Sequence, residues 1–261
     1  QSISDPFLLS ILGSIADALD ARGMSLMLTR MRGGKQPSLT AMFDSGQVSG
    51  LIIIGQLTMH EHLKHLANQG FPIVVWGANL PDATYSVVGG DNEKGGYLAT
   101  QHLIERGCKR IAFFGDTSHP EAGLRYAGYQ RAMAAAGYPI DARLVQSFLF
   151  GDVRIRETIN GWLNQHMAID AIFASSDVTA ISLMGALGER GVAVPKQVKV
   201  VGYDDIIFAA HVRPSLTTIR QSTDQAGHAL VDVLFDVIQG APRQVITLPT
   251  ELILRDSALW S

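Results

Sequence analysis

Two adjacent carboxylates, Asp204 and Asp205, end the apolar run KVVGY inside the stretch KVVGYDDIIFAAHVRPSLTTIRQ, Lys199 to Gln221. A carboxylate pair at the mouth of a buried strand has two chemical uses. It can do acid–base work on a bond held between the two groups, which needs one raised and one ordinary pKa, or it can accept hydrogen bonds from a ligand. Successive residues leaving a strand point to opposite faces, so only one of the two can face a given ligand. Asp204 is expected to be that contact, and Asp205 to brace the loop through local backbone hydrogen bonds.

Other side chains capable of chemistry recur at the ends of apolar runs. Trp76 ends PIVVW, Asp91 and Asn92 follow YSVVGG, Glu121 and Arg125 follow RIAFFG and its loop, and Ser176 and Asp177 follow AIFAS. In open α/β sheets ligands sit outside the carboxyl ends of the strands, which puts these residues on one rim. Phe7 joins them if the residues before Gln1 form a first strand. Carboxylate, amide and guanidinium groups can each engage two neighbouring hydroxyls, and aromatic faces cover the apolar side of a pyranose ring. The set favours binding of a polyhydroxylated small molecule over catalysis. Structural roles compete with each assignment: Asp91, Ser176 and Asp177 stand where helix caps belong, as does Asp5, Trp76 could be plain core, and Arg125 could be a surface ion pair. A glycoside-cleaving pair made of Asp204 and Asp177 is a further reading.

Several chemistries find no support. No G-x-G-x-x-G follows a strand, GGKQPS lacks the first glycine of a phosphate-binding loop, and no G-x-S-x-G elbow occurs. His60, His62 and His65 in HEHLKH do not form H-E-x-x-H, because position 64 is Lys; His60 and His62 point to nearly opposite sides of a helix, so a solvated face is expected and no metal site. Cys108, the single cysteine, is expected to be a partly buried structural thiol. No cofactor and no catalytic residue is expected.

The elements that must position the rim follow from the patterning. The 261 residues are 47% hydrophobic with a net charge of -3, enough for one large or two smaller α/β domains and without a bulk charge that would attract nucleic acid or an anionic membrane. The longest apolar runs are far below the ~20 residues a membrane span requires, no secretory signal opens the chain, and one cysteine suits a reducing compartment. Helices are expected from Asp5 with Pro6 to Gly23, near Pro37 to Ser45, from the capping box Thr58–Glu61 to Gly70, from Asp91 to Gly107, over 121–136, over VRIRETINGWLNQH, from Asp177 to Gly191, and from the box Ser222–Gln225 to Gly240. Strands are expected at MSLMLT, LIIIG, PIVVWG, RIAFFG, LVQSFLF, AIFAS, KVVGYD, LTTIR and within QVITLPTELIL. The alternation means βαβ units, parallel sheets and, from the strand count, two doubly wound lobes.

The stretches GGDNEKGGYLATQHLIERGCKRIAFFGD, LRYAGYQRAMAAAG, AIFASSDVTAISLMGALGERGVAVPKQVKVVGYDDI and PSLTTIRQ, in this order across essentially the whole chain, resemble the successive signatures of LacI/GalR-family transcriptional repressors. The resemblance implies an α/β periplasmic-binding-protein-like effector domain of type I. Its two parallel-sheet subdomains would be joined by three crossovers, near Gly90–Asn92, Arg220–Thr223 and Pro249–Glu251. The N-terminal subdomain would comprise 1–90 and 223–249, and the C-terminal one 91–222 and 250–261. It also implies effector contacts: Phe7 is similar to the first-loop aromatic, Arg125 to the arginine of R-x-x-G-[YW], Asp204 to the first aspartate of G-[YF]-D-[DN], Ser176 with Asp177 to an Asn-Asp pair, and Gln221 closes L-T-T-[IV]-x-Q. Trp76 and Glu121 complete the set from the rim. Ser176 replaces the commoner asparagine, and Cys108 stands where histidine is usual.

From the resemblance follow a homodimer, a cytoplasmic location, no membrane partner, and a small-molecule effector held in an interlobe cleft. Contact with operator DNA would run only through an N-terminal helix-turn-helix domain, which is absent from this chain. VVWGANLP with HPEAGLRYAGY is similar to repressors of sugar uptake and breakdown, so a sugar is preferred over a purine, which wants aromatics on both faces where Phe7 and Trp76 supply at most two. A periplasmic sugar-binding protein of a transport system is the alternative.

Overall fold

The computed structural model describes residues 5–29, 39–55, 60–148, 152 and 154–259. In chain order its elements are α1 (Pro6–Asp20), α2 (Leu39–Asp44), β1 (Leu51–Ile54), α3 (His60–Asn68), β2 (Ile73–Trp76), β3 (Ser86–Gly90), α4 (Asn92–Glu105), β4 (Ile111–Phe114), α5 (Pro120–Ala135), β5 (Val145–Gln146), α6 (Arg154–Asn164), β6 (Ala171–Ala174), α7 (Asp177–Glu189), β7 (Lys199–Asp204), β8 (Thr217–Gln221), α8 (Thr223–Ile238), β9 (Val245–Leu248) and β10 (Thr250–Ile253). Two compact units result. The smaller comprises Leu8–Gly90 and Ser222–Leu248, and the larger Gln1–Phe7, Asp91–Gln221 and Pro249–Ser261. Phe7 thus groups with the larger unit and not with the segment 1–90; the Asp5 carboxylate just before it acts electrostatically on Asp204.

The smaller unit is built on a parallel sheet of order β1-β2-β3-β9. Its strands read as unbroken apolar runs because a parallel sheet is covered on both faces, and every residue of β2 is buried. Ile53, Ile73, Val75 and Val87 pack with Leu63 and Leu66 of α3. Gly227 of α8 lies so close to α1 that a Cβ there would stand 2.2 Å from Ser14 Oγ.

The larger unit carries a sheet of order β10-β8-β7-β6-β4-β5, parallel except for the antiparallel edge pair β10/β8. On one face Phe113, Phe173, Val201 and Tyr203 meet Ala99 and Leu103 of α4 and Tyr129 and Met133 of α5. On the other, Phe114, Ile172 and Val200 meet α6 and α7 through Ile155, Ile159, Trp162, Leu183 and Leu187. Each such large apolar side chain contributes about 1.5–3 kcal/mol on burial. Helices α4 and α5 touch backbone to backbone: a Cβ on Gly96 would stand 2.0 Å from the Arg125 carbonyl oxygen, and one on Gly128 2.0 Å from that of Glu93.

Two sequence expectations require correction. MSLMLT is not a strand: Met24 to Thr29 pairs with no strand among the described residues, and Met24, Leu26, Met27 and Leu28 are exposed on both sides of the alternation. Period-2 patterning makes a strand only where a neighbouring backbone supplies the ladder. LVQSFLF contributes only Val145–Gln146, with Leu149 and Phe150 outside the described residues. The box at Thr58 likewise lies outside them. Caps elsewhere act as expected: Asp91 accepts from Lys94 N, Ser176 from Thr179 N and Ser222 from Gln225 N. No helix among the described residues is long and apolar enough to cross a membrane.

Candidate functional site

Strand β7 delivers Asp204 to the carboxyl edge of the larger sheet, and the backbone there departs from strand geometry. Asp204 and Asp205 have φ of 113° and 56°, conformations costing on the order of 1–3 kcal/mol each for a residue with a side chain. The surroundings over-determine this turn. Asp205 Oδ2 accepts from Arg220 Nε at 2.7 Å, and its Oδ1 accepts from Arg255 Nη2 at 2.6 Å. Asp205 therefore braces the loop, but through two arginines and not through local backbone bonds, because its turned-out backbone aims the carboxylate at β8 and at the segment after β10.

Asp177, the first residue of α7, is fully enclosed. Its Oδ2 accepts from Ile206 N at 2.8 Å, and its Oδ1 accepts from the Thr218 hydroxyl. Burial first, and then the neighbouring Asp204 charge, push its pKa well above the usual carboxylate range. A group so committed ties the turn to β8 and offers nothing to a ligand or a scissile bond. Ser176 is committed too: its hydroxyl accepts from Thr179 N at 3.3 Å and donates to Thr179 Oγ1 at 2.9 Å. Gln221, buried at the end of β8, donates from Nε2 to Asp204 Oδ1 at 2.9 Å.

What remains is Asp204 with Arg125. Arg125 rises from α5 and places Nη1 3.7 Å from Asp204 Oδ1, with side chains 11% and 9% exposed. Its Nε donates to Asn92 Oδ1 at 2.7 Å and its Nη1 to the Ser175 carbonyl. Its guanidinium carbon lies 3.7 Å from the centroid of the Tyr203 ring. Burial pushes the Asp204 pKa up to about 7; Arg125 opposes that shift, Asp5 adds to it, and Gln221 opposes it.

Phe7 sits in the first turn of α1, its N–H donating to Asp5 Oδ1 at 3.0 Å. Glu121, half-buried one turn before Arg125, makes no ion pair with it. Trp76 ends β2 of the smaller unit as a buried residue. Asn92 and Tyr203 were not among the expected contacts: Asn92 was legible only as a rim residue, and Tyr203 only as the inward member of an alternating strand.

The histidine run behaves differently from a fully solvated face. His62 and His65 are exposed, but His60 turns its Nδ1 to the Tyr85 hydroxyl at 2.6 Å and its Nε2 to Asp82 Oδ1 at 2.8 Å. The Lys64 ammonium bonds Asp82 and lies 3.2 Å from Glu61 Oε1, supplying the positive charge a metal would bring to His60, Glu61 and Asp82. Cys108 is buried, its thiol pushed up to about 11 by burial, and is unreactive at neutral pH.

A family model for the periplasmic binding protein-like domain matches residues 100–258. Over 97% of its length the chain is 33% identical to the HTH-type transcriptional regulator CelR of Thermobifida fusca, of which it covers 76%. The chain belongs to the LacI family of transcriptional regulators. A second LacI-family relative, the HTH-type transcriptional repressor PurR of Pasteurella multocida (strain Pm70), is 32% identical over 97% of this chain and 77% of its own. The structure of the CelR–cellobiose complex aligns with a TM-score of 0.86 and 31% identity, over 98% of this chain and 80% of that one. These LacI-family relatives are regulators, not enzymes, and they favour the regulator over the transport protein.

Proposed function

We propose that this chain is the effector-binding module of its regulator and that the effector is a sugar held by Arg125 and Asp204. The observation that carries the reading is that Arg125 Nη2 and Asp204 Oδ2 have no hydrogen-bond partner among the described residues, while Asn92, the Ser175 carbonyl and Gln221 hold the rest of the two side chains in place. A donor beside an acceptor suits neighbouring hydroxyls, each of which accepts one bond and donates another. Hydrogen bonds to charged groups contribute about 1.5–3 kcal/mol each, and an analogue lacking a hydroxyl leaves a buried group unpaired. Cellobiose in the CelR complex supports a sugar over a purine. Phe7 is the proposed aromatic contact and Glu121 a further polar one, whereas Ser176, Asp177 and Gln221 act by capping, bracing and aiming.

In this reading the protein is a cytoplasmic homodimer without enzymatic activity, and it reaches operator DNA through a helix-turn-helix segment outside these 261 residues. A coupling of about 1–3 kcal/mol between effector and operator changes DNA affinity severalfold to a hundredfold. The test is calorimetry with cellobiose, glucose, ribose and hypoxanthine on the wild type and Asp204→Ala. Sugar binding that disappears in the variant, with an unchanged circular dichroism spectrum, supports the assignment; equal affinity in both removes Asp204 from the site.

A further inference from the structure

We propose that Asn92 and Tyr203 are positioning residues that set the orientation of Arg125 before any ligand arrives, and thereby decide which of its donors reaches the effector. This rests on the reading of Arg125 as an effector contact.

An arginine side chain has about 2 kcal/mol of rotamer freedom, and a guanidinium presents five N–H donors. A ligand meeting an unconstrained arginine must order it at the moment of binding. Here three elements constrain it. From the N-terminus of α4, the amide of Asn92, 3% exposed, takes the Nε–H at 2.7 Å. The Ser175 carbonyl, after β6, takes Nη1. From β7, the Tyr203 ring lies under the guanidinium plane, 3.7 Å from centroid to Cζ, where a cation over an aromatic face is stabilised and a stacked plane loses its free rotation.

The Tyr203 hydroxyl explains why the face and not the oxygen matters. It is buried and makes no hydrogen bond, and the space it occupies exists because residue 95 is glycine: a Cβ there would stand 2.3 Å from it. The ring is therefore held flat by packing, with its face turned to Arg125. With Nε–H and one N–H of Nη1 engaged, the donors left for a ligand are the second N–H of Nη1, whose nitrogen lies 3.7 Å from Asp204 Oδ1, and the two of Nη2.

The experiment uses the full-length protein. In ligand-free protein labelled with ¹⁵N-arginine, the Arg125 Nε–H resonance should be sharp and slow to exchange with water. Asn92→Ala should accelerate that exchange and weaken cellobiose binding about tenfold, the effect of losing about 1.4 kcal/mol. Tyr203→Leu should broaden the resonance and weaken binding likewise, and Tyr203→Phe, which keeps the ring, should restore both. A fast-exchanging Arg125 signal in the wild type, an unchanged signal in Asn92→Ala, or a Tyr203→Phe variant as impaired as Tyr203→Leu would each overturn the proposal. If the wild type shows the slow signal but binds no cellobiose, the choice of that sugar fails and the positioning roles stand.

Discussion

Two of the places where carboxylate, cation and aromatic hydroxyl or ring converge among the described residues, one in each unit, differ in what they leave undone. In the smaller unit, His60, Tyr85, Asp82 and Lys64 form a closed set: both ring nitrogens of His60 have partners, and exposed Asp82 bonds both His60 and Lys64, which hold its pKa at about 2. In the larger unit, Arg125, Asp204, Asn92, Tyr203 and Gln221 are nearly dry, and both charged side chains keep hydrogen-bonding capacity that no described residue takes up. Titratable residues gathered in space do not make a binding site. Unmade bonds in a desolvated frame do, because a ligand completing them gains what water cannot supply there.

The contrast between committed and open groups is tested most severely at Asp177. Asp177→Ala orphans the Ile206 N–H and the Thr218 hydroxyl and empties a buried volume, so urea denaturation should show a loss of about 2–4 kcal/mol. Asp204→Asn, at a strained and desolvated position, should leave the urea midpoint within error or raise it. Next in size is Arg125→Ala, for which calorimetry should record a loss of about 2–3 kcal/mol in sugar affinity.

A third prediction concerns pH. Asp204 is raised from 3.8 to about 7. The folded protein keeps this proton where the unfolded chain has lost it, so burying Asp204 lowers stability progressively from about pH 4 to pH 7 and by a constant amount above. The ionised form accepts from hydroxyls, so sugar affinity should be constant above about pH 8 and fall about tenfold by pH 6, a slope absent in Asp204→Asn. The smallest effect is expected in the other cluster. Asp82→Asn should leave sugar affinity unchanged and move Tm by about a degree, because Asp82 itself is exposed to solvent.

Local rules made much of the fold legible in the sequence. The caps Asp91, Ser176 and Ser222, the helix stops at Gly107 and Gly240, and the apolar runs of β2, β6 and β7 each depend on a few neighbouring residues. The partnerships of the site do not. Asp177 reads as a candidate contact until Thr218, 41 residues away, and Ile206, 29 away, are seen to occupy both oxygens. Asp205 reads as a local brace until Arg255 reaches it from 50 residues downstream. Tyr203 reads as core, which it is, and no pattern announces that its outer face carries an arginine. Met24 to Leu28 shows the converse failure, a clear local pattern without the partner strand it needs.

The contact between α4 and α5 bears on how such a site could be re-engineered. Because the Arg125 carbonyl rests against the bare Cα of Gly96, the height of that arginine above the sheet is a fixed dimension, and any side chain at position 96 displaces the whole recognition group. Libraries aimed at a new effector should therefore hold positions 96, 125 and 128 constant. Variation belongs at the half-buried Glu121, where a changed side chain alters which ligand fits around an anchor that does not move.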